Sequence, residues 1–236
     1  MNGLDRRIWA LAWPLLLANM TAPLLGLVDT AVVGHLPSPS YLAAVALGGN
    51  FFMFLYFSFN FLRMGTTGFT AQARGAGDNT LVVLLRALLL AGLVGVALVA
   101  LHVPLRELGL WLLGGSPEVR SLAREYIDLR VLGAPAALGN FALIGFAIGV
   151  HRTRVALKMT VLMHLANALL DVLLVQVWHF DVRGVAAASA AAEYLGLAGG
   201  LFWLRREIFG AAWRARPRGA LWQPTAMLRL LAVNRD

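Results

Sequence analysis

Two aspartates stand inside long apolar stretches of this 236-residue chain. Asp29 lies in the run LLGLVDTAVVGHL, and Asp171 lies in HLANALLDVLLV. An ionised aspartate near the middle of a membrane-spanning helix costs roughly 2.5–3.5 kcal/mol on insertion scales, so an acid in such a place is a candidate functional residue. The two aspartates therefore predict a cation-coupling site inside a membrane.

Further polar side chains accompany the acids and are predicted to line the same cavity: Asn19, Thr30, Asn167, Ser189 and Glu193. Asn167 stands one helical turn before Asp171, and Ser189 stands one turn before Glu193, so each pair shares a helix face. His164 is interpreted as a packing residue.

Two carboxylates in a half-dry pocket can hold a proton near neutral pH, because desolvation and the neighbouring negative charge both favour protonation. A bound organic cation favours the ionised pair and expels the proton. This reciprocal competition is the thermodynamic basis of an antiporter. H⁺ is the predicted coupling ion, with Na⁺ as the alternative because Asp, Asn and Ser oxygens suit a hard cation. No cofactor is predicted.

The elements that position these residues are predicted to be membrane helices. The chain is 59% hydrophobic and 14% charged, with a mean hydropathy of +0.72. Apolar runs of about 20 residues match the roughly 30 Å hydrocarbon core of a bilayer. The fold class is therefore all-α, a polytopic membrane protein with a bundle of six transmembrane helices, at about 8–34, 41–68, 81–103, 131–150, 155–178 and 184–204.

Local signals place several helix ends and bends. Ser38, Asp78 or Asn79, and Ser116 are predicted N-caps. Pro14 and Pro23 are predicted to bend the first span. Span three is followed by a longer polar connection up to Gly115. The fourth helix begins at Ser116 as a charged, amphipathic segment outside the hydrocarbon, in which Arg124 and Asp128 stand at i,i+4 spacing.

The distribution of the basic residues along the chain indicates membrane topology rather than nucleic-acid binding. The net charge is +8. With a cytoplasmic N-terminus, the outer side receives Arg106, Arg120 and Arg183. The inner side then receives ten arginines, namely Arg6, Arg7, Arg74, Arg152, Arg154, Arg205, Arg206, Arg214, Arg216 and Arg218. This bias predicts that both termini are cytoplasmic.

Two other functions can be weighed against transport of cations. An intramembrane serine protease would need a reactive serine inside the membrane, but Ser116 caps a helix in an outer loop, so no enzyme activity is predicted. An exporter or flippase of lipid-linked or polysaccharide substrates would need Arg or Lys in the cavity for anionic headgroups. The sequence places no such residue there.

Several stretches resemble a known family: PLLLANMTAPLLGLVDTAVVGHL, FLRMGTTGFTAQARGAGD, YIDLRVLGAPAALGNFALIGFAIGV, HLANALLDVLLV and GVAAASAAAEY. In this order they resemble the N-terminal half of multidrug and toxic compound extrusion (MATE) transporters, specifically the DinF-like branch. The resemblance covers nearly the whole chain. It implies one lobe of a twelve-helix antiporter that exports small cationic or amphipathic drugs through the inner membrane of bacteria.

The same resemblance assigns roles to individual residues. Asp29 matches the family's proton-coupling acid, and Pro14 matches a proline that bends the first helix. Asn167 and Asp171 match a fifth-helix pair, and Ser189 matches a sixth-helix hydroxyl. The implied domains are a six-helix lobe at 1–206, a basic cytoplasmic linker at 207–224 and the truncated start of a seventh helix at 225–236. The C-terminal lobe is missing from this chain, so an inactive truncated fragment is a further alternative.

Overall fold

The computed structural model of the chain describes residues 9, 12–14, 16, 17, 20 and 30–210. Five helical stretches there are long and apolar enough to cross a membrane: Pro39–Ala76, Thr80–Ala100, Pro117–Gly149, Thr153–Val177 and Asp181–Trp203. They match predicted spans two to six, and the described part of the chain contains no strand. The first predicted span falls mostly outside the described residues. Its described positions up to residue 33 are helical.

The second span consists of two helices, α1 (Pro39–Phe57) and α2 (Phe61–Ala76), separated by a turn at residues 58–60. The predicted N-cap is confirmed, because the hydroxyl of Ser38 accepts a hydrogen bond from the backbone N–H of Ser40 at 3.2 Å. Pro39 follows at the first helical position, where its missing N–H costs nothing.

The third span is α3 (Thr80–Ala100), which is capped by Asn79 as predicted. The predicted polar connection after it is wrong, because a second helix, α4, occupies His102–Leu113. The sequence of α4 is HVPLRELGLWLL, and its leucines gain stability by packing on α1. Leu110 is buried, and Gly109 allows close approach, since a Cβ there would lie 2.4 Å from the Phe51 ring.

Ion pairs fasten α4 to the next helix, α5 (Pro117–Arg130). Arg124 donates to both carboxylate oxygens of Glu107 at 3.0 Å, and Arg106 donates to Asp128 at 2.5 Å. Arg124 and Asp128, which stand one turn apart on α5, therefore each bond to a side chain of α4. The hydrogen bonds from Arg124 are the main reason that the pKa of Glu107 falls to about 2.

The fourth span contains α5, a 3₁₀ turn at Val131–Gly133 and α6 (Ala134–Gly149). The turn has a local cause: Pro135 has no N–H to donate to the carbonyl of Val131, so regular α-helical bonding is interrupted. Pro135 also packs directly on α3. A Cβ added at Gly95 would lie 2.4 Å from the Pro135 Cα, so only glycine fits at this contact.

The fifth and sixth spans lie side by side. They comprise α7 (Thr153–Asp171), a π-helical segment at Val172–Val177, and α8 (Asp181–Trp203), which is followed by the short helix α9 (Arg205–Phe209). The sixth span also packs closely on the fourth through small residues, since a Cβ at Gly133 would lie 2.9 Å from the Ala190 Cα. Residues 211–236, which include most of the predicted linker and the seventh-helix start, lie outside the described part.

Candidate functional site

Asp171 is the last residue of α7 and is completely buried inside the bundle. Asn167, one turn earlier, is also buried, with 5% of its surface exposed. An uninterrupted α-helix over 153–171 places both side chains on one face. The two residues therefore form a polar patch in an otherwise apolar span, as the sequence predicts.

The patch on α7 faces α8 through a second predicted residue. The side-chain amide of Asn167 donates a hydrogen bond to the Ser189 hydroxyl, with 3.4 Å between Nδ2 and Oγ. The small residues around Ser189 allow this contact, because they let the two helices approach closely. The structure thus brings Asn167, Asp171 and Ser189 together between α7 and α8.

Glu193 lies one turn beyond Ser189 on α8 and bonds to a different helix. The amide Nδ2 of Asn140, on α6, donates to the Glu193 carboxylate at 2.8 Å and to the Glu193 backbone carbonyl at 2.9 Å. Asn140 is 1% exposed. Sequence reasoning missed Asn140, although a lone amide in the apolar run ALGNFALIGF was a detectable signal.

Arg130, at the end of α5, is a cation that sequence reasoning did not place near the cavity. Its guanidinium lies 4.8 Å from the centre of the Phe52 ring and donates a hydrogen bond to the Tyr126 hydroxyl. Arg130 also interacts electrostatically with Glu193 and with Tyr56. The expectation that no Arg or Lys reaches the interior is therefore wrong. The long side chain reaches from the end of α5 to the rings of Phe52 and Tyr126.

The segment after Asp171 is π-helical, a conformation that is often found at functional sites. From this segment the side-chain amide of Gln176 donates to the backbone carbonyl of Val32 at 2.9 Å. Val32 belongs to the helical turn at residues 30–33. This bond therefore joins the end of the first predicted span to the segment that follows Asp171.

Of the remaining predicted site residues, the structure describes Pro14 and Thr30 but not the other three. Asp29, Asn19 and Pro23 lie outside the described residues, so the meeting of the two aspartates stays a prediction. Pro14 is buried in a helical stretch, and Thr30 is exposed. The bends predicted at the two prolines also stay predictions.

Comparisons with known proteins agree with this architecture. A family model described as MatE matches residues 14–173. DNA damage-inducible protein F of Escherichia coli K12 is 42% identical over 247 aligned residues, which cover 100% of this chain and 52% of that protein. Multidrug resistance protein PmpM of Pseudomonas aeruginosa is 29% identical over 85% of this chain and 43% of its own length. The chain spans about half the length of the curated relatives that it matches.

Solved structures show the same fold. The outward-facing conformation of a multidrug resistance MATE family transporter of the MOP superfamily matches with a TM-score of 0.84 and 24% identity, over 96% of this chain and 50% of that chain. A crystal structure of MATE in complex with MaD3S matches with a TM-score of 0.83 and 25% identity, over 96% and 51% of the two chains. The fold of this chain thus corresponds to about half of each of these two larger transporter structures.

Proposed function

Because this chain belongs to the MATE family of membrane transporters, we propose that it is the N-terminal lobe of a secondary multidrug antiporter. Asp29 and Asp171 exchange H⁺ for a small organic or amphipathic cation, with Na⁺ as the alternative coupling ion. The lobe lies in the bacterial inner membrane with both termini in the cytoplasm, and a C-terminal lobe completes the transport path.

One observation carries the proposal: Asp171 is completely buried within a membrane span, beside the Asn167–Ser189 pair. An ionised carboxylate inside an apolar bundle is costly unless a proton or another positive charge compensates it. A proton and a cationic drug can each supply that compensation, but they compete to do so. Binding of one therefore weakens binding of the other by the same factor, which is the coupling that an antiporter needs.

Proton release on cation binding tests this coupling directly. Purified protein in weakly buffered solution is titrated with tetraphenylphosphonium while a dye reports the pH. Proton release is expected, and the exposed inner-loop variant Asp78→Asn is expected to release as much. Cation binding without proton release, but with sensitivity to Na⁺, would assign the coupling to Na⁺ instead.

Export tests the role of Asp29. In cells that express this chain together with the C-terminal lobe, Asp29→Asn is expected to abolish proton-driven drug export while the protein stays in the membrane. Retained export with normal drug resistance would remove Asp29 from the coupling site. Proton release by the purified chain without a C-terminal lobe separates the alternative of an inactive fragment, which would release no proton on cation binding.

The orientation can be tested without background labelling because the sequence contains no cysteine. Gly75 on α2 and Glu118 on α5 are both exposed. A membrane-impermeant thiol reagent added to intact cells with a permeabilised outer membrane is expected to label Glu118→Cys and to spare Gly75→Cys. The opposite pattern would invert the proposed topology.

A second candidate, export of lipid-linked or polysaccharide substrates, is favoured by the guanidinium of Arg130 near Glu193. An anionic headgroup would bind there through charge-assisted hydrogen bonds. Competition distinguishes the two functions: anionic lipid, but not neutral lipid, should then displace tetraphenylphosphonium from wild-type protein and not from Arg130→Gln.

A further inference from the structure

Helix α8 carries two polar side chains on one face, and they bond to different neighbouring helices. Ser189 accepts from Asn167 on α7, whereas Glu193 accepts from Asn140 on α6. The Asn140–Glu193 pair therefore lies one helical turn, about 5.4 Å, along α8 from the pair beside Asp171. The described structure thus contains two polar pairs in adjacent layers of the bundle.

The charge of Glu193 is compensated only in part. Within the described residues, the Asn140 amide is its one hydrogen-bond donor. Arg130 interacts with Glu193 electrostatically, but no ion pair within 4.0 Å joins these two residues. A carboxylate in a membrane span that lacks a directly paired cation is a natural acceptor for a proton.

The titratable groups around Glu193 come from several helices. Arg130 on α5 supplies a permanent positive charge, and Tyr56 on α1 lies within electrostatic range of both. Tyr194 is the next residue on α8, and it donates a hydrogen bond to the Leu132 carbonyl at 2.9 Å. Helix α7, which packs against α8, carries His164 and Asp171. Arg130 is the one permanently charged cation among these groups.

Asn140 can serve Glu193 in either protonation state. Its Nδ2 donates to the ionised carboxylate, while its Oδ1 is buried and has no hydrogen-bond partner in the described part of the chain. A half-turn of the amide group would present Oδ1 to Glu193, where it would accept a hydrogen bond from the protonated carboxyl. The side chains of Asn140 and Glu193 can therefore keep one hydrogen bond between them in both protonation states of Glu193.

We propose that Glu193 is a further proton-binding residue of the transport cycle, in addition to Asp29 and Asp171, and that Asn140 is its positioning residue. This inference rests on the proposed antiport function. When an organic cation enters, the O–H bond of the Glu193 carboxyl breaks and the proton leaves to water. When the cation departs, the carboxylate takes a proton back, and no other bond changes.

Infrared spectroscopy of protein with ¹³C-labelled glutamate carboxyl groups tests this proposal. The label separates glutamate bands from aspartate bands. Of the other four glutamates, Glu107, Glu125 and Glu207 form ion pairs with arginines and Glu118 is exposed. Wild-type protein at neutral pH is expected to show a protonated-glutamate band that disappears when tetraphenylphosphonium is added. Glu193→Gln should lack the band, whereas Glu125→Gln should retain it.

Wild-type protein alone can overturn the inference, so it remains testable even if Glu193→Gln does not fold. The inference fails if the labelled protein has no protonated-glutamate band, or if that band does not respond to the cation. If aspartate bands respond while the glutamate band does not, the proposed antiport function stands and only the role of Glu193 is lost. If neither responds, proton coupling at this site fails as well.

Asn140→Leu tests the positioning role. The variant removes the donor to the ionised carboxylate, so the glutamate band is expected to persist to higher pH than in wild type. The matched control is Asn50→Leu, because Asn50 is an exposed amide in α1. An unchanged titration in Asn140→Leu would show that Asn140 does not act on the Glu193 proton.

Discussion

Glu107 and Glu193 are both glutamates near arginines, yet they differ in solvent access and in geometry. Glu107 is exposed on α4 and accepts two hydrogen bonds from Arg124 at 3.0 Å, so its negative charge is fully matched. Glu193 is half-buried on α8, accepts a hydrogen bond from the neutral amide of Asn140 and interacts with Arg130 only electrostatically. The surface pair is suited to fastening two helices, whereas the interior acid is suited to changing its charge.

Replacement of Asp171, the completely buried acid at the end of α7, should give the largest effect. It is the most severe test of the idea that acids in the interior change their charge whereas acids at the surface do not. Asp171→Asn cannot ionise, so we expect it to block the coupling between pH and cation binding. The measurement is the affinity for tetraphenylphosphonium as a function of pH, from acid to alkaline conditions. Asp128→Asn, in the surface network, is the control. A pH dependence that is the same in Asp171→Asn and wild type would exclude Asp171 from coupling.

The close contact between Gly133 and Ala190 of α8 should be the next most sensitive to substitution. A side chain at Gly133 would meet the α8 backbone at Ala190, next to Ser189, so Gly133→Val should push α8 outward. Overpacking of this kind costs about 1–3 kcal/mol. We expect a lower melting temperature in detergent and weaker proton release on cation binding. Gly68→Val is the control, since a Cβ there meets no atom within 4 Å. Equal melting temperatures for the two variants would contradict the contact.

The bond between the π-helical segment and the first span should have an intermediate effect. Gln176→Leu removes the hydrogen bond to the Val32 carbonyl, which corresponds to roughly 0.5–1.5 kcal/mol for a typical bond. We expect a modest loss of stability and a clear change in the pH dependence of cation binding, because the bond joins residue 32, three positions after Asp29, to the segment that follows Asp171. Gln72→Leu, at an exposed position of α2, should change neither.

The surface network should give the smallest effect. Exposed ion pairs contribute little and are screened by salt. The pKa of Glu107 is lowered from 4.5 to about 2, so its stabilising contribution is fully present above pH 4.5 and is lost as the pH falls through about 2. We expect Glu107→Gln to lower the melting temperature slightly at pH 7, and about 1 M salt to remove the difference. If Glu107→Gln lost proton release on cation binding, the proposed difference in role between Glu107 and Glu193 would be wrong.

Local sequence determined much of what the structure shows. The helix caps at Ser38, Asn79 and Ser116 depend on residues within one turn, and the structure confirms each of them. The spacing of Asn167 and Asp171 on one face is fixed by the α-helix itself. The length of the apolar runs likewise determined where spans two to six lie.

Contacts between helices were decided only by the tertiary structure. Arg124 had an acidic residue one turn away, yet it pairs with Glu107 on α4, and Asn140 meets Glu193 across two separate spans. Such pairs depend on which faces pack together and how deeply each helix sits, and these quantities are set by the summed packing of many side chains. The amino-acid sequence alone therefore identified most of the polar residues in the interior, and the fold decided which of them are partners.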